Sequence, residues 1–387
     1  MSAPQAFDHT HYVPILKGKL GEFNALKQLY SQDRAALTPL IEVAPVDWDY
    51  DDDQAKKTEA LHLEAVQDKM VKGWGVDRPF FVDLGAANLT TPVVGDALNR
   101  HPYTYFFDIA RAKGLLAIPV VPLTPDPALL AAVVAIVARD NRGVMVRVAR
   151  DDISSPTFYQ ALINAPLALG RPPAQIDLMV DLEDVDASTV APYLMALPQI
   201  LPQLPHLSAW RTFTLAGCGF PQSLAGFVVG SVASVPRVEW NLWTGLLGRL
   251  PQSVRAPAFS DYGVAFVDLP DIDPRFMSPL HNIRYTIANE WLIVRGQSVR
   301  KQRGPSNSQL CQLLMGLPEF CGPQFSEGDK HIVLCATAQT GPGNMTTWRQ
   351  VGTNHHLTFV VRQLANRNVS SVPAVPGPVA GRGSGTP

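Results

Sequence analysis

Cysteine is scarce in this chain. Four cysteines occur among 387 residues, and none of them belongs to a CxxC pair. This scarcity excludes a zinc ribbon and a disulfide-dense secreted scaffold, because both need closely spaced cysteines. We therefore expect reduced thiols and a cytoplasmic location.

Charged residues and long apolar runs are also scarce. Asp, Glu, Lys and Arg make up 17% of the chain and leave a formal net charge of −2, which gives no general attraction to nucleic acid or to an anionic membrane. No uninterrupted apolar stretch reaches the roughly 18 residues of a transmembrane helix, and residues 1–10 lack the basic and apolar regions of a signal peptide. We expect neither a membrane nor a nucleic-acid partner.

Several catalytic motifs are missing as well. The chain has no Walker loop, no GxGxxG turn and no GxSxG elbow. These absences argue against a P-loop NTPase, a Rossmann dehydrogenase and an α/β-hydrolase. Any chemistry must therefore be sought in how single residues are placed by the fold.

Eight short apolar segments recur between residues 12 and 262, and most end in a charged or glycine-rich turn before a helix-like stretch. This rhythm is typical of a (β/α)8 barrel, in which an outer helix follows each parallel strand. We predict an α/β fold with a TIM-like barrel over residues 1–268. The predicted strands are residues 12–16, 38–43, 79–82, 115–121, 143–146, 176–180, 211–216 and 256–260.

A different pattern follows the barrel. Residues 282–287 and 291–295 alternate between apolar and polar side chains, which predicts a β-hairpin. Short helices are predicted at residues 308–314 and 357–364. We expect residues 269–365 to form a C-terminal α+β cap over the barrel mouth. Residues 366–387 are rich in Pro, Gly and Ser and are expected to form a disordered tail.

Charged side chains collect where the predicted strands end. The carboxyl ends of parallel strands share one end of a barrel, which is where the active sites of TIM-barrel enzymes lie. We assign Lys17, Glu42 and Asp83 to catalysis, and Lys19 and Arg147 to binding an anionic substrate. For Glu42 the alternative is a salt bridge at the rim, because a buried unpaired carboxylate costs several kcal/mol.

Two kinds of chemistry are open at these strand ends. Asp181 and Glu183 carry oxygen ligands of the kind that Mg²⁺ or Mn²⁺ prefers, and a water bound to such a divalent cation would be the nucleophile of a hydrolase. The alternative is a Schiff base on Lys17, which could lose its proton beside Lys19.

A glycine-rich turn follows the seventh predicted strand, where Gly217-Cys218-Gly219 leads to a helix predicted from about Ser223. Glycines expose backbone N–H groups, and the N-terminus of a helix favours negative charge. We therefore assign Gly217 and Gly219 to binding an anionic group. The alternative is that these glycines only permit a tight turn.

Adjacent histidines, His355 and His356, occur near the end of the chain. On a helix they would point about 100° apart, which suits one shared metal ion poorly. We assign His355 to general acid–base catalysis, although His356 is an equal choice and packing or capping is the alternative. Arg284 and Arg295 are assigned to binding a phosphate or carboxylate, with pairing to Asp or Glu as the alternative.

Six stretches stand out between about residues 10 and 365. They are YVPILKGKLGEFNAL, LTPLIEV, WGVDRPFFVDL, FSDYG, NIRYTIANEWLIVRG and WRQVGTNHHLTFVV. Together they resemble the phage-related beta protein family. The resemblance implies a barrel-like fold and supplies no reaction. It also directs attention to Asp261 and Tyr262, which we add to the candidates for substrate binding.

Two functions are therefore open. The chain is either an enzyme acting on a phosphate-bearing small molecule or nucleotide, such as a metal-assisted hydrolase or phosphodiesterase, or a barrel that binds a small anionic ligand or a protein partner without turnover. The second class includes a sensor or a component of phage–host conflict. Convergence of the strand-end charges on one centre would favour the enzyme, and scattered, separately paired charges would favour the binder.

Overall fold

The computed structural model describes residues 6–268, 280–298 and 305–370. Thirteen strands are assigned within these residues. In chain order they are β1 (Ile15–Leu16), β2 (Leu40–Glu42), β3 (Trp48–Asp49), β4 (Gln54–Ala55), β5 (Pro79–Asp83), β6 (Leu116–Pro122), β7 (Val144–Val148), β8 (Ile176–Asp184), β9 (Thr212–Cys218), β10 (Val232–Pro236), β11 (Ala258–Asp261), β12 (Leu280–Thr286) and β13 (Glu290–Ser298).

Eight of these strands form one parallel sheet in the order β1, β2, β5, β6, β7, β8, β9 and β11. The two edges of the sheet meet through a parallel bridge between Tyr12 and Phe259. The Val13 N–H group also donates to the Phe259 carbonyl at 3.0 Å. The sheet is therefore a nearly closed barrel, and the eight strands predicted from the sequence are confirmed.

Twelve α-helices lie within the described residues. They are α1 (Leu20–Lys27), α2 (Ser31–Ala35), α3 (Glu59–Gly73), α4 (Pro102–Ala112), α5 (Pro127–Asp140), α6 (Arg150–Ile153), α7 (Phe158–Ala168), α8 (Ala187–Ile200), α9 (Val238–Leu247), α10 (Asn307–Met315), α11 (Glu327–Ala336) and α12 (Met345–Ser370). Local sequence explains several starts, because Thr58, Asp126 and Asp186 accept N–H groups from the first turns of α3, α5 and α8. None of the described helices has both the length and the apolar character of a membrane span.

The described residues after the barrel, 280–298 and 305–370, which we call the cap, contain more than the predicted hairpin. β12 and β13 pair antiparallel as expected, with Thr286 opposite Trp291, and β10 adds a third antiparallel strand to β13. The helix predicted from about Ser223 was wrong, because residues 219–231 contain no helix. This segment contains Pro221 and three glycines, which oppose a helix, and the valines of β10 favour a strand.

Helix α12 joins the cap to the barrel. Its Asn354 side chain donates to the Ala25 carbonyl in α1 at 3.0 Å, and Arg362 pairs with Asp33 of α2 at 2.9 Å. The helix extends to Ser370, so residues 366–370 of the predicted tail are helical. Residues 371–387 of that tail, and residues 269–279 beside the predicted domain boundary, lie outside the described residues. The boundary itself stays a prediction.

Candidate functional site

Five barrel strands carry the same pattern at their carboxyl ends. An apolar residue faces the barrel interior, the next apolar residue packs under the helices, and a charged residue follows. Because side chains alternate along a strand, the charged side chain returns to the interior. The five segments are Ile15-Leu16-Lys17, Leu40-Ile41-Glu42, Phe81-Val82-Asp83, Met145-Val146-Arg147 and Met179-Val180-Asp181.

Arg147 lies at the centre of these charged side chains. Its Nη1 donates to Glu42 at 2.7 Å and to Asp83 at 2.8 Å. Its Nε and Nη2 donate to Asp181 at 2.9 and 2.6 Å, and Nη2 also donates to the Tyr262 hydroxyl at 2.7 Å. One guanidinium therefore connects three carboxylates and a phenol, which the rigid fork of its N–H groups permits.

Lys17 and Tyr262 complete the group. Lys17 Nζ donates to the Glu42 carboxylate and to the Val267 carbonyl, and it lies 4.8 Å from the centre of the Tyr262 ring. The Tyr262 hydroxyl donates to Asp181 at 2.7 Å. Burial, followed by the charge of Asp181, raises the pKa of Tyr262 well above its ordinary value. We name this group the mouth network, and its members are Lys17, Glu42, Asp83, Arg147, Asp181 and Tyr262.

The mouth network is largely buried and carries a surplus of negative charge. Two cations face three carboxylates, which leaves one net negative charge. The side chains of Asp83 and Arg147 are each 16% exposed, whereas that of Asp181 is 1% exposed. Asp83 and Arg147 therefore form the side from which water or a ligand reaches the network.

Glu183, a predicted metal ligand, lies beside the network. β8 becomes irregular after Asp181, and Glu183 adopts a left-handed conformation with φ 57°. Its carboxylate pairs with Arg150 at 3.5 Å, whereas the carboxylate of Asp181 pairs with Arg147. Burial, and then the charge of Asp181, raises the pKa of Glu183. No group of three or more His, Cys, Asp or Glu side chains that could hold a metal ion occurs in residues 6–268, 280–298 and 305–370. Asp181 and Glu183 as placed therefore do not fit a Mg²⁺ or Mn²⁺ site.

A cleft of about 390 Å³ opens at the same end of the barrel. The turn after β1, the loop after β2, α3, β12 and the first turn of α12 form its walls. Lys19 and Arg284, both predicted to bind substrate, meet in this cleft rather than in the mouth network. We name it the side cleft, and its principal polar residues are Lys19, Asp47, His62, Lys69, Arg284 and Arg349.

The turn at Gly217 and Gly219 faces a carboxylate. A Cβ atom added at Gly219 would overlap Oε2 of Glu239, and one added at Gly217 would lie 3.4 Å from Glu239 Cβ. Burial raises the pKa of Glu239 to about 8, although Arg237 lies 3.6 Å away. The side chains of Glu239 and Val238 occupy the space beside Gly219 that a phosphate would need, and close packing of β9 against α9 explains the glycines.

Asp261 belongs to a separate buried group. It accepts the Tyr12 hydroxyl at 2.5 Å and lies 3.0 Å from His356 Nε2, while Thr286 Oγ1 lies 2.8 Å from His356 Nδ1. Burial lowers the pKa of His356, so the neutral ring donates from Nε2 to Asp261 and accepts from Thr286. Burial alone would raise the pKa of Asp261, but the contact with His356 holds it below its ordinary value. This group joins α12 to β11.

His355 lies in the core of the cap. Its Nδ1 is 2.8 Å from Asp329 Oδ2, its Nε2 is 2.8 Å from the Thr286 carbonyl, and its ring stacks on Tyr285 with centroids 3.8 Å apart. Asp329 also accepts the Tyr285 hydroxyl at 2.8 Å. The structure therefore gives each of the two adjacent histidines its own carboxylate, outside the mouth network.

Arg295 is the remaining predicted anion-binding residue. Its Nη1 donates to Asn282 across the β12–β13 pair at 3.3 Å, and burial lowers the pKa of Arg295. Arg295 belongs neither to the mouth network nor to the walls of the side cleft.

The model of the family described as Beta protein matches residues 12–362. The chain belongs to the Beta protein family. The match includes every strand of the barrel and most of α12, so both the mouth network and the side cleft lie within the Beta protein region.

A similar solved structure is that of a GH138 enzyme targeting pectin rhamnogalacturonan II. It shares 11% identity with this chain at a TM-score of 0.33, and the match covers 75% of this chain. The chain spans only 38% of the length of that structure. No curated protein matches this chain.

Four polar residues of the side cleft were not predicted from the sequence, and one of them, Asp47, lies in the loop after β2. His62 and Lys69 lie on α3, whose sequence mixes acidic, basic and apolar residues and marks no single position. Arg349 lies within the stretch WRQVGTNHH, which carries part of the family resemblance. That resemblance is the one signal that could have identified it.

Proposed function

We propose that this chain is an enzyme that acts by acid–base chemistry on a small phosphate-bearing molecule, at the carboxyl end of a TIM-type barrel. The observation that carries the proposal is the mouth network. Side chains from the ends of β1, β2, β5, β7, β8 and β11 meet around Arg147. In TIM-barrel enzymes, catalytic residues likewise come from the ends of several strands.

Asp83 is the general base in this proposal. Its Oδ1 accepts the Gly85 N–H group at 2.8 Å and its Oδ2 accepts Arg147 at 2.8 Å, so two bonds fix its orientation. It is also the most exposed carboxylate of the network. A general base must lie within hydrogen-bond reach of the proton that it removes, and Asp83 meets this condition best.

Arg147 is a positioning residue in the same proposal. Its donors are used by protein groups, so it has little capacity left for a substrate anion. It holds Glu42, Asp83 and Asp181 at fixed separations and supplies the positive charge between them. The phosphate-bearing class of substrate is supported by the cations that the side cleft collects at this end of the barrel.

The experiment is a depletion assay with a mixture of small metabolites that includes phosphate esters and nucleotides. Mass spectrometry follows each component in the presence of wild type, Asp83→Asn or Asp77→Asn. Asp77 is the matched control, since it is an exposed residue that precedes the start of β5. We expect wild type and Asp77→Asn to consume a phosphate-bearing component, and Asp83→Asn to do so about 100-fold more slowly. Equal rates for the two variants would contradict the proposal.

Binding without turnover is the second candidate. It is favoured by the complete pairing of Arg147, which also suits a rigid scaffold. A phosphate-bearing compound would then raise the melting temperature of the protein while no component of the mixture is consumed.

A further inference from the structure

The side cleft holds more positive than negative charge. Arg349 donates to Glu22 at 3.2 Å, whereas Lys19 and Lys69 have no carboxylate within ion-pair distance among the residues that the structure describes. Among the described residues that line the cleft, four side chains are cationic and Asp47 alone carries a carboxylate. The charged lining residues are Lys19, Lys69, Arg284, Arg349 and Asp47.

These cations repel one another. Burial lowers the pKa of Lys69, and Lys57 and Lys19 lower it further, although Asp47 opposes them in part. Burial and the neighbouring Arg349 lower the pKa of Arg284 to about 9. Like charges held close together in a partly buried cleft destabilise each other, and an anion placed among them would reverse that effect.

Backbone N–H groups add to the anion-binding character of the cleft. Leu20 and Gly21, the first two residues of α1, line it, and the first N–H groups of a helix have no partner within the helix. His62, another lining residue, is 7% exposed and places Nε2 at 2.8 Å from the Ala44 carbonyl. Because Nε2 donates to that carbonyl, the buried Nδ1 is a hydrogen-bond acceptor without a partner among the described residues, and a group placed beside it must supply a donor such as a hydroxyl.

We propose that the side cleft binds the phosphate group of a phosphomonoester through Lys19, Lys69 and the first turn of α1. A volume of about 390 Å³ accommodates a phosphate together with a small organic group. This inference rests on the proposed function, because it assumes that the chain has a substrate. It adds that the phosphate is a binding group and not the reacting group, because the mouth network carries a net negative charge. The reaction product therefore keeps its phosphate.

Isothermal titration calorimetry with inorganic phosphate at low ionic strength tests the cleft without any need for turnover. The variants are Lys69→Gln and Lys19→Gln, and the control is Lys72→Gln, an exposed lysine on α3 outside the cleft. We expect wild type and Lys72→Gln to bind phosphate equally. Each cleft variant should bind it about tenfold more weakly, because a charge-assisted hydrogen bond is lost.

The outcomes separate this inference from the proposed function. Unchanged phosphate binding by both cleft variants would overturn the inference, as would the absence of saturable binding by wild type up to about 10 mM phosphate. Asp83→Asn should bind phosphate like wild type. If it does and no metabolite is consumed, the cleft assignment stands and the enzyme proposal fails. If a metabolite is consumed and loses its phosphate, the cleft assignment fails. Thermal melting verifies that each variant is folded.

Discussion

The mouth network and the side cleft lie at the same end of the barrel but differ in whether their cationic side chains are paired with carboxylates. In the network, Arg147 and Lys17 both contact carboxylates. In the side cleft, Lys19 and Lys69 have no such partner among the described residues. Removing charged groups from water costs free energy unless they are paired. The network is therefore organised before any ligand arrives, whereas the cleft gains its compensating charge from a ligand.

Arg147→Met breaks the paired region and should have the largest effect. The change leaves Asp83 and Asp181 buried without their cation, so we expect a loss of about 3–5 kcal/mol in the free energy of unfolding. Urea denaturation measures it. The control is Arg139→Met, which removes a 40% exposed arginine that pairs with Asp108 and Asp140 and should cost about 1 kcal/mol or less. Equal losses would mean that the network is not a buried, coupled unit.

His356→Leu removes one partner of Asp261, in the buried group that joins α12 to β11. Asp261 keeps the Tyr12 hydroxyl and the Gly263 N–H group at 2.9 Å, so the expected loss is about 2 kcal/mol, smaller than for Arg147. Urea denaturation at pH 7 tests this. A loss as small as that of the exposed arginine control would contradict the role of the histidine as a buried partner.

The effect of His356→Leu on the free energy of unfolding should depend on pH. The pKa of His356 is lowered in the folded chain, so the unfolded state binds the proton more tightly and the free energy of unfolding falls as pH drops below about 6.5. The pKa of Asp261 is also lowered in the folded chain, so the free energy of unfolding falls further as pH drops below about 4. The difference between wild type and His356→Leu should therefore narrow from pH 7 to pH 5. A constant difference would contradict the lowered pKa.

Glu239→Gln tests a buried carboxylate that lacks the pairing seen in the network. The pKa of Glu239 is raised to about 8, so the folded state holds its proton more tightly than the unfolded state. Its stabilising contribution is complete below about pH 4.5 and declines as pH rises through 8. We expect the variant to be more stable than wild type by about 1–2 kcal/mol at pH 8 and by much less at pH 5. Stability curves that stay parallel with pH would contradict this.

Lys69→Gln should have the smallest effect on stability. This lysine lacks an ion-pair partner among the described residues, and repulsion from Lys57 and Lys19 opposes its attraction to Asp47, so the free energy of unfolding should change by less than about 0.5 kcal/mol. Chemical denaturation without phosphate measures the change. A loss of about 2 kcal/mol or more would show that Lys69 supports the fold and would weaken the contrast with the network.

Much of the barrel and its network could be predicted because the signals are local. Apolar segments such as Phe80–Val82 carry the strand pattern, and the two-residue period places the next charged side chain inside the barrel. The side cleft could not be predicted in the same way, because Lys69 and Arg349 come from helices that approach only after the chain folds back. The partners of His355 and His356 depend likewise on how α12 packs. At Gly217 the turn was predicted, but the Glu239 carboxylate that faces it arrives from a later helix.

Steady-state kinetics of Asp83→Asn and Lys69→Gln, on the substrate found in the depletion assay, tests the division between network and cleft most directly. We expect Asp83→Asn to lower kcat by about 100-fold with little change in KM, and Lys69→Gln to raise KM about tenfold with kcat unchanged. If both substitutions alter the same kinetic parameter to the same extent, the division between a reacting network and a binding cleft is wrong.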